Sequence, residues 1–235
     1  DDAKEVNKFV KIHKIAAFEI NHVRLLEYLA STKKPIIIST GASNFSDIDY
    51  AVKLLKRKGV KTICLLQTTS KYPTPIESLN LKAILELKKR YQVPIGLSDH
   101  SIEPILGPTL AIGLGATIIE KHFTLNKKMK GPDHSMSSDP KQFKKLVSEI
   151  HEIEQMFGDG VKKCQKSELE NLVGARRSIT AKTDLFKNSI INKENITFKR
   201  PASGIEPKFF DKILGKKIQR KIKADDAIKW KDLKL

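Results

Sequence analysis

Between Gly96 and Thr124 the sequence GLSDHSIEPILGPTLAIGLGATIIEKHFT reads as one strand–helix–strand unit. The first strand, VPIG, runs into Ser98-Asp99-His100. An apolar run with Gly and Ala follows, and the second strand, TIIE, runs into Glu120-Lys121-His122. Two short apolar strands joined by a helical crossover lie parallel in one sheet. Parallel α/β folds bind ligands at the carboxyl ends of their strands, and both histidines fall there. Two neutral imidazoles, with Asp99 and Glu120 beside them, suit one divalent cation. Each His could equally cap its strand and hydrogen-bond locally, and composition leaves both readings open.

The same rhythm runs from Lys14 to Phe157. Strands are expected at Lys14–Ile20, in IIIS after Pro35, at Thr62–Thr69, at Pro94–Leu97 and at Thr117–Glu120. Helices are expected at Val23–Thr32, Ser43–Lys58, Leu79–Tyr91, Ile102–Leu114 and Lys141–Phe157, after a polar helical stretch within residues 1–13. Ser46 is the expected cap of the second of these helices, and Gly59 its stop. Five strand–helix units at this spacing suit a (β/α) barrel of the TIM type. Closing eight strands takes roughly 250 residues, so the chain accounts for the C-terminal five units only. About 100 further residues, three units, would lie on the N-terminal side.

After Phe157 the character changes. Residues 158–175 read as a linker, and 176–235 as a small, mostly β domain with short runs SITA, ITFKR and KKIQRKI. It shows little core of its own and is expected to dock onto something else. Cys64 and Cys164 stand far apart with no CxxC, which indicates neither zinc nor a disulfide framework. No apolar run reaches the roughly 20 residues of a membrane span, and no signal segment opens the sequence, so a cytoplasmic protein is expected. The net charge of +17 invites an anionic partner, or simply dresses a solvated Lys-rich surface. With few aromatics and no recognition motif, nucleic acid is not the expected partner.

The segments KIAAFEI, KPIIISTG, TTSKYPTP, GLSDHS, IEKHFTL and GPDHSMSSDP, in this order, resemble the sialic acid synthase family. The last 60 or so residues, with FKRP and LGKK, resemble that family's antifreeze-like SAF domain. The resemblance implies a partial barrel over 1–157, a linker over 158–175 and an SAF domain over 176–235. It also implies condensation of phosphoenolpyruvate with an N-acetylmannosamine-type sugar, giving a nine-carbon 2-keto acid and phosphate. A divalent metal, Mn2+ or Mg2+, would bind His100 and His122, which with Glu120 would form the catalytic group. Lys14, Ser39, Ser70 and Ser98 match positions that contact phosphoenolpyruvate. Glu19, Tyr72 and Asp133 match positions that contact the sugar hydroxyls. Arg200, in FKRP, matches an arginine that reaches the barrel mouth of a partner subunit, which implies a domain-swapped homodimer.

The chain departs from the family pattern in places. The acid-and-His segment of the first barrel strand lies outside this sequence. Ala17 stands where Ser is usual, Thr68 where Cys is usual, and Ser70 replaces the Asn of some members. The GPDH form leans toward neuraminic or legionaminic synthases and FEI toward pseudaminic or spore-coat types, so the sugar stays open. The alternative is a truncated or degenerate synthase that binds carbohydrate, or completes another subunit, without activity of its own.

Overall fold

The computed structural model describes residues 1–234. Contacts divide the chain into two compact units, Asp1–Gly158 and Asp159–Leu235. The first holds a parallel sheet in the order β1 (His13–Ile15), β2 (Ile36–Ser39), β3 (Ile63–Thr68), β4 (Ile95–Asp99), β5 (Ile118–Lys121). Sequential order with every neighbour parallel is the topology of a βα barrel. Helix α1 (Asp2–Asn7) precedes the sheet, and α2 (Val23–Ser31), α3 (Phe45–Arg57), α4 (Ala83–Tyr91), α5 (Leu106–Gly113) and α6 (Pro140–Phe157) follow successive strands.

Side chains alternate across this sheet. Ile15, Ile36, Ile38, Ile63, Leu65, Ile95 and Leu97 point outward and join the buried cluster with Leu26, Leu29, Leu55, Ile84 and Leu87 of the helices. The positions between them point inward: Lys14, Ser39, Leu66, Thr68, Gly96, Ser98 and Glu120. The sheet is strongly curved. Lys14 on one edge strand reaches Glu120 on the other, Nζ to Oε1 3.0 Å, where four flat interstrand spacings would separate them by about 19 Å. Gly96 allows this curvature. A Cβ there would stand 2.4 Å from the Ile118 carbonyl oxygen and 2.5 Å from Leu66 Cδ2.

Local chemistry sets the element ends, and several differ from the sequence expectation. The first strand stops at Ile15, because Ala17–Glu19 form a 3-10 turn that leaves Phe18 exposed. Asn44, not Ser46, caps α3: its side chain accepts the Ser46 and Asp47 N–H groups while Asp47 accepts the Asn44 N–H. Helix α4 begins at Ala83 rather than Leu79, after a 3-10 turn at Ile76–Ser78 and Asn80 at φ 46°. Asp139 and Gln142 cap α6 reciprocally, with Pro140 in its first turn. Asp49 joins α3 to α4, accepting from Arg90 at 3.0 and 2.5 Å and from Tyr91 at 2.8 Å.

The second unit contains α7 (Leu169–Gly174), an antiparallel pair β6 (Ser178–Ala181) and β7 (Ile196–Lys199), and α8 (Phe210–Ile213). KKIQRKI is not a strand; it makes single bridges at Lys217, Ile218 and Ile222. The unit also has the core that the sequence did not suggest. Ile179, Ile191, Ile205, Ile213, Ile218, Ile222 and Ile228 are each at most 2% exposed and pack together.

Candidate active site

The inner face carries its polar side chains toward the carboxyl ends of the strands. Ser98 on β4 and Glu120 on β5 are register partners, and Ser98 Oγ donates to Glu120 Oε1 at 2.7 Å. The same carboxylate oxygen accepts from Lys14 Nζ. One step beyond each strand end stand His100 and His122, ring centroids 5.2 Å apart and nearly perpendicular at 88°. Tyr72, from the loop after β3, lies 4.2 Å from the His100 ring and 5.7 Å from the His122 ring.

His100 is held in one tautomer. Its Nδ1 lies 3.0 Å from the Thr69 carbonyl oxygen, which can only accept, so Nδ1 carries the proton. Nε2 then offers its lone pair to the site. Ser98 Oγ is 3.4 Å away, but its proton is already given to Glu120. Burial lowers the His100 pKa, with a smaller push from His122, so the ring is neutral near pH 7. His122 Nδ1 is 3.6 Å from Asp133 Oδ2. Burial, then the negative charges of Asp133 and Glu120, raise the Tyr72 pKa.

The loop after β5 is tied back to that strand. Ser138 N–H donates to the His122 carbonyl at 2.8 Å, Thr124 Oγ1 pairs with His134 Nδ1 at 2.8 Å, and Met136 is buried. These ties bring Asp133 to the rings. Ser39 Oγ and Ser70 Oγ are buried with no protein partner, and Ser70 Oγ sits where a Cβ on Gly41 would be, 2.2 Å away. A cleft of about 700 Å³ opens beside Ser70 between the β2–α3 turn and the loop after β3, lined in part by Thr40, Asn44, Thr68, Ser70 and Lys71. Neither imidazole lines it.

The structure thus gathers Lys14, Tyr72, Ser98, His100, Glu120, His122 and Asp133 into one contact network, with Ser39 and Ser70 on the same sheet end. Glu19, half-buried on its 3-10 turn, makes none of the side-chain bonds described among these residues. Arg200 belongs to the second unit, where it is exposed and follows β7. Among the described residues no three His, Cys, Asp or Glu side chains cluster as a complete metal-ligand set. The donor set nonetheless fits a divalent cation supplied in part by water or substrate. It offers one neutral imidazole with a free Nε2 and a second imidazole facing it, while the Glu120 carboxylate is bonded to Lys14 and Ser98 and completes no three-residue ligand set. Two supports were not singled out from sequence. The Thr69 carbonyl orients His100, and buried Thr74 holds the loop by donating its N–H to the His100 carbonyl and its hydroxyl to Thr69 and Lys71. A Thr between two prolines, YPTP, was the only sequence signal for it.

A profile of the NeuB family matches residues 1–162, and one of the SAF domain matches 176–234. The chain belongs to the NeuB family. It is 46% identical over 95% of its length to the uncharacterized protein MJ1065 of Methanocaldococcus jannaschii, covering 66% of that protein. It is 41% identical over 94% of its length to the N,N'-diacetyllegionaminic acid synthase of Campylobacter jejuni, again covering 66% of the relative. It also resembles the crystal structure of an N-acetylneuraminic acid synthetase from Leptospira borgpetersenii, with TM-score 0.65 and 40% identity over 72% of this chain and 58% of that one. The chain therefore spans about two thirds of the length of the curated relatives it matches. Its fold is a five-stranded part of a TIM-type barrel plus an SAF domain.

Proposed function

We propose that this chain is the C-terminal part of a nonulosonic acid synthase, which joins phosphoenolpyruvate to an N-acetylmannosamine-type sugar. The observation that carries the reading is the neutral, oriented His100 beside His122, with Glu120 held between Lys14 and Ser98. In the reaction the C3 carbon of phosphoenolpyruvate bonds to the sugar's aldehyde carbon, and the aldehyde oxygen takes a proton. Water adds at C2, the C2–O bond to phosphate breaks, and a nine-carbon 2-keto acid and inorganic phosphate are released.

His100 and His122 would hold Mn2+ or Mg2+, which when bound supplies Lewis acidity for the aldehyde oxygen. Lys14 offers its ammonium to the phosphate or carboxylate of phosphoenolpyruvate, and the unpartnered hydroxyls of Ser39 and Ser70 offer donors, with Ser98 beside them by family position and giving its own proton to Glu120. Charge develops on oxygen during both bond changes, and fixed donors stabilise it there. Glu120 is placed to exchange the proton at the aldehyde oxygen or the incoming water. Tyr72, Asp133 and, by family position, Glu19 orient the sugar hydroxyls.

Within this reading, residues 1–157 form the barrel part, 158–175 the linker and 176–235 the SAF domain. Strands β1 and β5 each have one ladder partner, so three further strand–helix units would close the barrel. Arg200 would serve the barrel mouth of a partner subunit in a domain-swapped homodimer. A reducing, cytoplasmic setting suits the free Cys64 and Cys164; no helix among the described residues is long and apolar enough to cross a membrane. The reading is tested with the full encoded protein, Mn2+ and phosphoenolpyruvate labelled with 18O at the bridging oxygen. Label appearing in phosphate together with a 2-keto acid of the expected mass supports it. Failure of every N-acetylated hexosamine offered to yield such an acid overturns it.

A second reading, a chain that binds carbohydrate or completes another subunit without turnover, draws on Ala17. Ala17 is buried, and the family resemblance would put a hydroxyl at its position.

A further inference from the structure

One step below the imidazoles, on the opposite face of the sheet, Asp99 and Lys121 are register partners at the last rungs of β4 and β5. Their side chains are 0% and 2% exposed, and Nζ stands 2.7 Å from Oδ2. Every remaining bond of the pair lands on the segment that carries His100. Asp99 Oδ1 accepts the Ser101 N–H at 2.8 Å, Oδ2 accepts the Ser101 hydroxyl at 3.0 Å, and Lys121 Nζ donates to the Ser101 carbonyl at 2.7 Å. Residues 99 and 101 are thus tied on either side of His100, and residue 121 is tied immediately before His122.

Both strands end at this rung, so no ladder hydrogen bond fixes the spacing of the two histidines above it. A buried ion pair adds little net stability compared with an apolar pair of similar volume. It does impose a direction and a register that packed aliphatic chains do not. We infer that the buried Asp99–Lys121 pair is a positioning device that sets the separation of His100 and His122, while the Thr69 carbonyl holds the His100 ring. The inference rests on the proposed reading of those histidines as metal ligands, and neither Asp99 nor Lys121 touches substrate. Partners that orient metal ligands from behind typically change affinity by about 10- to 100-fold when lost.

The test uses the full encoded protein carrying Asp99→Asn together with Lys121→Met, which removes the charges without leaving one buried alone. A second variant, Ser101→Ala, removes one donor to Asp99 and leaves the ion pair. Three readouts are taken: the thermal unfolding midpoint, the imidazole 15N–1H spectrum of metal-free protein, and the affinity for Mn2+ from the EPR signal of the free ion. The double variant is expected to unfold near the wild-type temperature. Its His100 and His122 signals should leave their wild-type positions, and its Mn2+ Kd should rise about 10- to 100-fold. Ser101→Ala is expected to move the same signals less and to weaken Mn2+ severalfold.

Wild-type imidazole signals and Mn2+ affinity in a folded double variant overturn the inference. Should the double variant not fold, the same pair of unchanged readouts in Ser101→Ala overturns it. If His100→Ala binds Mn2+ as tightly as wild type, the metal reading of the site fails. The imidazole spectra, which need no metal, then still decide whether the pair positions the rings.

Discussion

The two faces of the five-stranded sheet divide the work of the first unit. Outward, Ile15, Ile36, Ile38, Ile63, Leu65, Ile95 and Leu97 are no more than 3% exposed and pack on the helices. Inward, one residue out of phase, stand Lys14, Ser39, Thr68, Ser98 and Glu120. A strand's period of two places consecutive residues on opposite faces. Stability and chemistry therefore alternate along the same few residues, and each can be perturbed with the other largely intact. The Asp99–Lys121 pair crosses that division: it lies on the outward face, and in the inference above it acts on the inward one.

Breaking the outward face has the largest expected effect on stability. Leu65→Ala, at a fully buried site, is expected to cost about 2–5 kcal/mol in urea unfolding. Gly96→Ala attacks the inward face where it is tightest, forcing a methyl against the Ile118 carbonyl and Leu66, and is expected to cost about 1–3 kcal/mol.

A smaller, pH-dependent effect belongs to Asp49. The hydrogen bond from Arg90, then that from Tyr91, lowers its pKa to about 2. Its ordinary value is about 3.9. A lowered folded pKa means the contribution is present above the ordinary value and lost as pH falls through the folded one. The difference in thermal midpoint between wild type and Asp49→Asn should therefore be full above about pH 5 and shrink steadily toward pH 2. A gap that stays constant across that range would contradict the assignment.

The smallest stability effect is expected from Ser39→Ala, within about 0.5 kcal/mol. Its hydroxyl is buried without a partner, so its removal strands nothing. The same variant should raise the KM for phosphoenolpyruvate. An equal loss of stability in Ser39→Ala and Leu65→Ala would erase the distinction between the faces.

Much of the first unit was legible because buried parallel strands are short Ile- and Leu-rich runs and the helices between them are amphipathic. The misreadings share a local cause. Ala16, Ala17 and Phe18 extend the apolar pattern of β1, but the backbone turns there into a 3-10 conformation. Leu79 and Leu81 fit the period of α4, yet Asn80 interrupts it in the left-handed region. In the second unit the isoleucines are scattered, often one to a short segment, so no run announces a core, although together they make one. At the site, the order of the motifs pointed to Lys14, Tyr72, His100, Glu120, His122 and Asp133. The tautomer of His100 was not readable, because it is set by a carbonyl 31 residues away in sequence. Nor was the link between Asp99 and Lys121, which depends on strand register rather than on either motif.

The central claim is that the inward imidazole pair is the reacting centre of a phosphoenolpyruvate-condensing enzyme. The most direct measurement is phosphate release from phosphoenolpyruvate by the full encoded protein, with Mn2+ and a panel of N-acetylated hexosamines, for wild type, His100→Ala and His122→Ala. The account predicts sugar-dependent release by wild type that disappears in both variants while their unfolding midpoints hold. Sugar-dependent release that persists in either folded variant would contradict it, as would a folded wild type that releases no phosphate with any sugar.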